Sequence, residues 1–538
     1  MAAGGRTNTF FPYMDTDCVS PPPDTTDLAL LERLRSASEL LELIDSDRGL
    51  LDRLPAQERQ RLHLAVAQIY NPDPIARRLR QKADARERSD ALVRRADAIL
   101  DDTGIRTLRR KPVFNTPNVF APEGFEPRDS DADEPERQES IDPQHCYVCK
   151  QKFSTVHHFY DQMCPPCAAF NFTKRTELAD LHGRVALLTG GRVKIGYQAG
   201  LKLLRAGAGL IVTTRFPRDS AKRYAQEPDF GEWGHRLEIF GLDLRHTPSV
   251  EAFCRELLAT RPRLDFIINN ACQTVRRPPE FYKHMMAGET AALQNTSGRE
   301  RKLLGTYEGL RSYDILPEGN SAAMQAASGG SLTDAAGLTR AAELSQVPLL
   351  AEELLGQKHL FPEGRLDQDL QQVDLRGRNS WRLLLAEVSS VELLEVQLIN
   401  AVAPFLINAR LKPLMLRTPE RDKHIINVSA VEGQFYRNCK TTRHPHTNMA
   451  KAALNMMTRT SATDYFGDGI HMNSVDTGWV TDEDPVEIAA RKIIEQRFHP
   501  PLDIVDGAAR ILDPLISGIN TGKHVWGQFL KDFRPVDW

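Results

Sequence analysis

The sequence has no long hydrophobic stretch and no excess of charge of one sign. Its 538 residues contain no uninterrupted apolar run of the roughly 18 residues that a membrane-spanning helix needs. Lys and Arg number 69 against 72 Asp and Glu, which gives a formal net charge of -3. A near-neutral chain offers no global basic surface for nucleic acid. These absences predict a soluble globular protein and argue against both a membrane and a nucleic-acid partner.

Cysteine is too scarce for a disulfide framework, because only eight cysteines are spread over 538 residues. Four of them form two close pairs, a pattern that suits a reducing compartment and a bound metal. The N-terminal stretch also lacks a basic segment followed by an apolar one, so no secretory signal is predicted. We therefore expect a cytoplasmic protein.

The chain is too long for one ordinary domain, and its length suggests two to four. Residues 1–26 are rich in Pro, Thr, Gly and Asp, which predicts a disordered N-terminus. Apolar residues at helical spacing predict an α-helical region over residues 27–110. This region either binds a protein partner or, as we favour, packs against the rest of the chain. Residues 111–142 are rich in Pro and acidic residues and predict a linker.

Two cysteine pairs define a candidate metal-binding module at residues 143–175. Two residues separate Cys146 from Cys149 and Cys164 from Cys167, and fourteen residues lie between the pairs. Two such turns can supply four thiolates to one tetrahedral Zn²⁺, which leaves no position for a catalytic water. We therefore predict a structural zinc site with these four cysteines as ligands.

This module allows other interpretations. His157 or His158 could replace a cysteine ligand or make an outer contact, although such residues more often only pack. Redox-active or unpaired buried cysteines are a further alternative. Lys150, Lys152 and Lys174 form only a thin basic patch, so nucleic-acid binding through the module is the weakest hypothesis.

A glycine-bearing turn lies between two apolar segments of the chain. Residues 184–188 predict a strand, residues 197–206 a helix and residues 210–214 a second strand, with the turn at 189–196. Such a unit places a pyrophosphate on a helix N-terminus, and its glycines let backbone N–H groups approach the phosphates. Taken alone, the turn is equally compatible with a purely structural connection.

Further apolar segments at 237–240 and 266–268 continue the pattern of a parallel sheet. A series of short motifs then occurs in order between residues 181 and 538. These are TGGRVKIG from Thr189, Asp243, NNAC from Asn269, Asn400 in INAVAPFL, Ser429 in IINVSAVEG, Lys451 in MAKAALNM, and MNSVDTGWV from Met472. In this series the chain resembles the short-chain dehydrogenase/reductase family. The resemblance implies an α/β fold with a doubly wound parallel Rossmann sheet, preceded here by the α-helical region and the small zinc-binding module. Residues 275–390 form an insertion outside the resemblance, which could cap the substrate or mediate assembly.

The resemblance also implies which residues bind the cofactor. They are Gly190, Arg192, Lys194, Ile195, Gly196, Arg215, Asp243, Asn270, Ala271, Lys451 and Gly478. Lys194 stands where the family has a middle glycine, so its side chain would either crowd the pyrophosphate or direct an ammonium group at it. In this family an arginine at the position of Arg215 pairs with the adenosine 2′-phosphate, and Arg218 could assist. The resemblance thus favours NADP, with NAD possible; the alternative for Arg215 is an ordinary surface arginine.

The reaction that the resemblance implies is hydride transfer between nicotinamide and a carbonyl or alcohol, supported by a tyrosine, a lysine, a serine and an asparagine. Asn400 and Lys451 match the family. The tyrosine position, four residues before Lys451, is occupied by Thr447. Ser429 is the first residue of a pair that is usually Ser-Ser, and the second, which normally carries the role, is Ala430.

Tyr436 offers an alternative proton donor. It begins a second Tyr-x-x-x-Lys pattern with Lys440, but this pattern lies only seven residues beyond Ser429 and opens no helix. We therefore reject it as the standard pair, although Tyr436 could still approach the site as a surrogate acid. His444 and His446 are further candidates, because histidine side chains ordinarily titrate nearer neutrality than hydroxyl groups do.

Two functional hypotheses follow. The first is an NADP-dependent oxidoreductase that acts on a small-molecule carbonyl or alcohol with an atypical proton donor, Thr447 replacing the usual tyrosine. The second is a catalytically impaired nucleotide-binding scaffold or sensor, whose zinc module and N-terminal helices bind protein partners. We favour the first, because Asn400, Lys451 and Arg215 would serve no obvious purpose in a bare scaffold. A homo-oligomer is compatible with both, and the aromatic residues of segment 529–538 could pack on the sheet or at a subunit interface.

Overall fold

The computed structural model describes residues 25–70, 74–114, 116, 139–292, 296–315, 336–436 and 440–538. The chain forms two compact units, residues 1–94 and residues 95–538. The expected disordered segment 1–26 lies almost wholly outside the described residues, as does most of the expected linker 111–142.

The described part of the first unit is helical. Its elements are α1 (Thr25–Ser46), a 3₁₀ turn (Arg48–Arg53), α2 (Ala56–Tyr70) and the start of α3 (Pro74–Asp101), which continues into the second unit. The apolar residues that give α1 its helical spacing are largely exposed, for example Leu34 and Leu40. Helix α2 contains no buried residue. In the described part of this unit, the helices therefore form no closed core of their own.

The second unit is built around an eight-stranded sheet, preceded by the antiparallel pair β1 (Glu139–His145) and β2 (Lys152–Thr155). The strands of the sheet are β3 (Val185–Thr189), β4 (Gly209–Thr214), β5 (Leu237–Gly241), β6 (Phe266–Asn269), β7 (Lys423–Ser429), β8 (Ile470–Asp476), β9 (Phe529–Lys531) and β10 (Arg534–Val536). They lie in the order β10-β9-β8-β7-β6-β3-β4-β5, and all neighbours are parallel except β10, which is antiparallel to β9. The C-terminal segment thus joins the sheet edge, where Phe529 is buried.

The second unit also contains a series of helices, several of which pack on this sheet. They are α4 (Gly104–Arg110), α5 (Pro165–Thr176), α6 (Lys194–Arg205), α7 (Pro217–Ala225), α8 (Phe230–Trp233), α9 (Thr247–Thr260), α10 (Pro279–Thr290), α11 (Gly298–Ile315), α12 (Ala336–Thr339), α13 (Ala341–Leu344), α14 (Ser390–Gln397), α15 (Ala403–Met415), α16 (Pro445–Gly467), α17 (Val486–Gln496) and α18 (Ile504–Thr521). Helix α6 packs on α18, and α9 packs on α15. Strands β3 to β8 are buried along nearly their whole length, as expected for parallel strands covered by helices.

The strand order confirms the predicted doubly wound fold. Strand β3 lies between β4 and β6, so the chain reverses the direction in which it adds strands at this point. Ligands of such sheets bind outside the carboxyl ends of the strands beside this reversal. The fold therefore positions a binding site at the ends of β3 and β6.

One helical segment combines α14, a π-helical turn (Leu398–Val402) and α15. Among the described residues, this segment, Ser390–Met415, is long and apolar enough to cross a membrane by length and composition. It packs against α9 and α16 within the second unit, and buried core helices pass the same test.

Candidate functional site

A cleft of about 490 Å³ opens at the carboxyl ends of β3, β4, β5 and β6. Most of the predicted cofactor residues line it, namely Gly190, Arg192, Lys194, Ile195, Gly196, Arg215, Asp243, Asn270 and Ala271. Gly478 and Lys451 are not among the lining residues. The structure thus brings the predicted phosphate turn and the predicted 2′-phosphate arginine to one cavity.

The glycine turn between β3 and α6 is too tight for a side chain at two positions. A Cβ on Gly196 would lie 2.1 Å from the carbonyl oxygen of Gly190. A Cβ on Gly190, whose φ is +70°, would lie 2.8 Å from Cα of Ala271. The side-chain amide of Asn270 donates to the carbonyl oxygens of Thr189 and Gly190, both at 3.1 Å. Asn270 therefore ties the turn to the end of β6.

Lys194 is the first residue of α6 and has a φ of +53°, in the left-handed region that favours glycine. Burial lowers the pKa of its ammonium group, but Glu483, Asp369 and Asp367 outweigh that effect and raise it above its usual value. Two of these acids belong to the insertion, and Glu483 follows β8. The ammonium group is therefore available to a phosphate only in competition with these carboxylates.

Arg215 presents its guanidinium group to the cleft. Its Nη2 donates to Tyr282 Oη at 2.7 Å, and the group lies over the Tyr282 ring, 4.6 Å from the centroid. In the part of the chain that the structure describes, no carboxylate forms a salt bridge with Arg215. An aromatic neighbour orients a cation without neutralising it, so this charge remains available to an anion.

Two other arginines near the turn are used within the fold. Arg192 pairs with Asp219 at 2.7 Å. Arg218, which we expected to assist Arg215, is buried, pairs with Glu308 at 3.0 Å and does not line the cleft. The expected role of Arg218 is therefore not supported by its position.

Asp243, at the end of β5, is buried and held by Arg245 at 2.6 Å. Burial raises the pKa of this carboxyl group, but Arg245 and Arg215 hold it below its usual value. Asp243 is therefore a fixed anion in the wall of the cleft.

Three predicted catalytic residues converge where β7 meets α16. The buried Lys451 Nζ donates to the carbonyl oxygen of Val428 at 2.8 Å, and the Ser429 hydroxyl donates to the carbonyl oxygen of Lys451 at 3.3 Å. Thr447 lies one helical turn before Lys451, and its buried hydroxyl has no hydrogen-bond partner among the described residues. The threonine hydroxyl is thus the free polar group of this cluster.

Asn400 lies in the π-helical turn between α14 and α15. Such turns are frequent at functional sites. Its side-chain oxygen accepts from the backbone N–H of Gln273 at 2.8 Å, and its amide nitrogen donates to the carbonyl oxygen of Gln273 at 3.3 Å. Because Gln273 lines the cleft, Asn400 supports the cleft wall.

Tyr436 stands apart from this cluster, since its side chain is 94% exposed whereas Ser429, Thr447 and Lys451 are buried. None of these four residues is among those that line the cleft. His446 is buried beside Thr447, and its Nε2 lies 3.4 Å from a carboxylate oxygen of Glu392. His444 is also buried, which lowers its pKa. Of the alternative donors, His446 directly precedes, in α16, the threonine that stands at the tyrosine position.

Sequence reasoning missed the far wall of the cleft. Residues 371–374 of the insertion and residues 480–486 after β8 line it. The insertion has no counterpart in the family motifs, so nothing in those motifs pointed to its part in the cleft.

Sequence reasoning also missed Asp476 at the end of β8. Its carboxylate accepts the backbone N–H groups of Val431 at 3.0 Å and Gly478 at 3.1 Å. Burial, with the nearby Glu432, raises the pKa of Asp476 to about 6. The signal that could have identified it is an acidic residue at the carboxyl end of a strand, at the edge of the sheet where ligands bind.

The four cysteines of the candidate metal module converge, with ligand sulfurs within 4.8 Å of one another. Neither His157 nor His158 belongs to this group. Burial raises the pKa of the Cys146 thiol, but the backbone N–H groups of Cys164 and Cys149 contribute to lowering it to about 7. Burial raises the pKa of Cys164 and Cys167 in the same cluster. The case for a bound metal therefore rests on the four convergent sulfurs.

The cysteine module packs against the loop that follows β8. Tyr147 Oη accepts the backbone N–H of Trp479 at 3.0 Å, and a Cβ on Gly478 would lie 3.2 Å from the same oxygen. Arg175 on α5 pairs with Asp503, at the N-terminus of α18, at 2.7 Å. The predicted cofactor residue Gly478 is therefore held from the side of the cysteine module.

Two family models match the chain. One described as short chain dehydrogenase matches residues 184–293, and one described as Enoyl-(Acyl carrier protein) reductase matches residues 380–500. Most of the insertion lies between the two matches.

Among solved structures, a short-chain dehydrogenase/reductase from Burkholderia multivorans with bound NADP is 16% identical, with a TM-score of 0.38 over 66% of this chain and 99% of that chain. A dehydrogenase/reductase from Sinorhizobium meliloti is 17% identical, with a TM-score of 0.39 over 67% of this chain and 97% of that chain.

Sequence relatives extend the similarity. An uncharacterized protein of Acanthamoeba polyphaga mimivirus, R665, is 30% identical over 396 residues, 70% of this chain and 72% of that protein. Dehydrogenase/reductase SDR family member 13 of Bos taurus is 34% identical over 21% of this chain and 29% of that protein. Retinol dehydrogenase 14 of Mus musculus is 39% identical over 17% of this chain and 30% of that protein. The match thus spans less than a third of either named dehydrogenase. The chain belongs to the short-chain dehydrogenase/reductase family, whose members are NAD(P)-dependent oxidoreductases.

Proposed function

We propose that this chain is an NADP-dependent oxidoreductase that interconverts a carbonyl and an alcohol on a small-molecule substrate. The observation that carries the proposal is Arg215, a cation in the cleft that Tyr282 orients and with which no carboxylate of the described residues forms a salt bridge. The adenosine 2′-phosphate of NADP is the kind of anion that a guanidinium group binds, and NAD lacks it.

The residues of the cleft fit a dinucleotide. Gly190 and Gly196 lack the Cβ atoms that would block the turn, so its backbone can approach a pyrophosphate at the start of α6. Arg215 would hold the 2′-phosphate. The Lys194 ammonium group would contact the pyrophosphate in place of the acidic side chains that now act on it. When bound, the nicotinamide supplies or accepts the hydride.

For proton transfer we infer that Thr447 acts together with His446. An aliphatic hydroxyl is a poor acid near neutral pH, whereas an imidazole can exchange protons there. His446 is adjacent in the chain, and its Nε2 lies 3.4 Å from a carboxylate oxygen of Glu392. Lys451, one turn further along α16, adds positive charge near the threonine hydroxyl.

A second candidate function is a catalytically impaired nucleotide-binding scaffold or sensor. The acids that act on Lys194 would compete with a phosphate, which favours weak cofactor binding. Tyr436 is 94% exposed and so does not replace the family's tyrosine, whose position is occupied by Thr447. In this alternative, the zinc module and the N-terminal helices would bind protein partners.

We also propose a structural Zn²⁺ at Cys146, Cys149, Cys164 and Cys167. Support comes from the four convergent sulfurs and from the free state of these cysteines. Free thiols suit a reducing compartment, so we propose a cytoplasmic location. A homo-oligomer is compatible with this assignment.

A fluorescence titration of zinc-replete protein with NADPH and with NADH tests the main proposal. We expect wild-type protein to bind NADPH more tightly. Arg215→Gln should raise the Kd for NADPH by about 10- to 100-fold, because a hydrogen bond to a charged group contributes about 1.5–3 kcal/mol. The Kd for NADH should stay nearly constant. Lys222→Gln removes an exposed cation of α7 outside the cleft and serves as the matched control.

Four outcomes separate the hypotheses. Equal affinity for the two cofactors in wild-type protein would contradict the role of Arg215. Absence of binding to either would eliminate the oxidoreductase. Tight NADPH binding without turnover of any member of an aldehyde and ketone panel would favour the scaffold, whereas turnover that His446→Gln abolishes would support the proton-transfer assignment.

A further inference from the structure

Three histidines meet at the edge of the sheet opposite the cleft. His424 and His471 are the second residues of β7 and β8, and they are direct partners in the register of these parallel strands. His524 follows the C-terminal end of α18. Because the cleft opens at the carboxyl ends of the strands, this cluster is separate from the site described above.

The three imidazoles offer a compact set of nitrogen ligands. One ring nitrogen from each histidine lies within 4.8 Å of the others, and His424 Nε2 is 3.0 Å from His524 Nδ1. Ring centroids are 5.2 Å apart for His424 and His471 and 4.7 Å apart for His471 and His524. Three neutral imidazoles around a fourth, open position are a ligand set that Zn²⁺ and related divalent transition metals accept.

The surroundings orient one of these rings and leave a second with a free ring nitrogen. His471 Nδ1 lies 3.2 Å from the carbonyl oxygen of Lys423, a contact that requires its N–H to donate and leaves a lone pair on Nε2. Metal-binding histidines are commonly fixed in this way by a backbone carbonyl. His424 is fully buried, and its Nδ1 has no hydrogen-bond partner among the described residues, so its one polar contact is to another histidine.

A glycine on α18 provides the space for the ligand nitrogens. A Cβ on Gly518 would lie 2.6 Å from His524 Nδ1 and 3.2 Å from His424 Nε2. The two nitrogens therefore sit against the bare backbone of the helix. His524 also lines a surface cavity with Trp526 and Gln528, which gives an ion and its water a route to the cluster.

We propose that His424, His471 and His524 form a second metal site that binds a divalent transition metal, Zn²⁺ by preference, independently of the four cysteines. The alternative is a purely structural hydrogen bond between His424 and His524. The metal would join the C-terminal end of α18 to β7 and β8 and keep one position for water. The proposal does not depend on the proposed oxidoreductase activity.

A titration of the metal-depleted full chain with Co²⁺, followed by absorption, tests the site. Cysteine ligation gives an intense thiolate-to-metal charge-transfer band, and imidazole ligation gives only weaker bands. We expect two classes of bound Co²⁺, and two bound Zn²⁺ ions per chain by elemental analysis. His524→Gln should abolish the imidazole class and retain the thiolate class. His524 is only half-buried, so this variant should remain folded.

Two further variants sharpen the result. Gly518→Ala keeps all three histidines but fills the space beside their ring nitrogens. It should raise the Kd for Co²⁺ at the imidazole site by at least about 10-fold, which is comparable to the loss of metal affinity when an outer-shell contact is removed. His235→Gln removes an exposed histidine elsewhere and should change neither class. If the wild-type chain binds a single Co²⁺ ion and this ion shows only the thiolate band, the proposal is overturned, and no variant is needed to show it. Retention of both classes in His524→Gln would also overturn it.

Discussion

At the scale of single residues, Lys194 is the position where this chain differs most from the phosphate turn of its family. It stands where a glycine is usual and has a φ of +53°. Glu483, Asp369 and Asp367 together raise the pKa of its ammonium group despite burial. A pyrophosphate entering the turn would meet both the cation and these anions, so the effect of Lys194 depends on which charge is removed.

We expect Lys194→Gly to weaken NADPH binding and Asp369→Asn to strengthen it. The first change leaves the acids to repel the pyrophosphate, and the second removes one competitor for the ammonium group. Each effect should reach about 10-fold, or about 1.4 kcal/mol, at low salt. High salt should reduce each effect only in part, because Lys194 and Asp369 are partly buried and such charges are screened less than exposed ones.

Fluorescence titrations at two salt concentrations measure both effects. Glu363→Gln changes an exposed acid of the insertion that does not line the cleft, and should leave the Kd unchanged. If Lys194→Gly strengthens binding instead, the lysine side chain crowds the phosphates.

Asp476 predicts a pH dependence of stability. Burial raises its pKa to about 6 in the folded chain, against about 3.9 for an unperturbed aspartate. The folded state therefore binds this proton more tightly than the unfolded state does. The resulting stability is complete below pH of about 4 and is lost as the pH rises through about 6, with an upper limit of about 3 kcal/mol.

Urea unfolding of wild-type protein and of Asp476→Asn across this pH range measures the effect. The free energy of unfolding of the wild type should fall relative to the variant between pH of about 4 and about 6, and the difference should be constant above about 7. Asp142→Asn, at an exposed position, should show no such change. A difference that is constant with pH would show that the Asp476 carboxyl group is not perturbed.

At the scale of elements, the sequence predicts the parts whose signal is local. The strand predicted at 184–188 is observed at Val185–Thr189, and the helix predicted at 197–206 is observed at Lys194–Arg205. Apolar runs and the glycine turn determine these elements, because each pattern is complete within a few residues. The same locality accounts for the four-cysteine cluster, where two short turns carry all four cysteines.

Elements that depend on distant contacts could not be predicted in this way. Helix α11 packs on β5, and Asp367 acts on Lys194 across more than a hundred residues of chain. Arg218 illustrates the same limit at the candidate site, since its partner Glu308 lies in the insertion. A motif identifies which residue type occurs at a position. It does not identify the partner of that side chain, because the partner depends on the tertiary structure.

At the scale of the whole second unit, the cysteine module and the cleft share a wall. Val480 and Ile504 line the cleft and also belong to the apolar cluster that contains Cys146. Tyr147 of the module accepts the backbone N–H of Trp479, in the same loop. Metal at the cysteines would therefore keep one side of the cleft in place.

Removal of zinc by a chelator should weaken NADPH binding by at least about 10-fold, or about 1.4 kcal/mol, and should lower the thermal unfolding temperature. Without the metal the four thiolates lose the bonds that close the module, and the cluster around Cys146 loosens. NADPH titrations before chelation, after it and after return of Zn²⁺ measure the effect, and chelator already saturated with Zn²⁺ is the control.

Cys149→Ser should reproduce the loss, whereas His524→Gln, at the opposite edge of the sheet, should not. Unchanged NADPH affinity in a chain shown to hold no metal at the cysteines would mean that the module and the cleft are independent, although they share Val480 and Ile504.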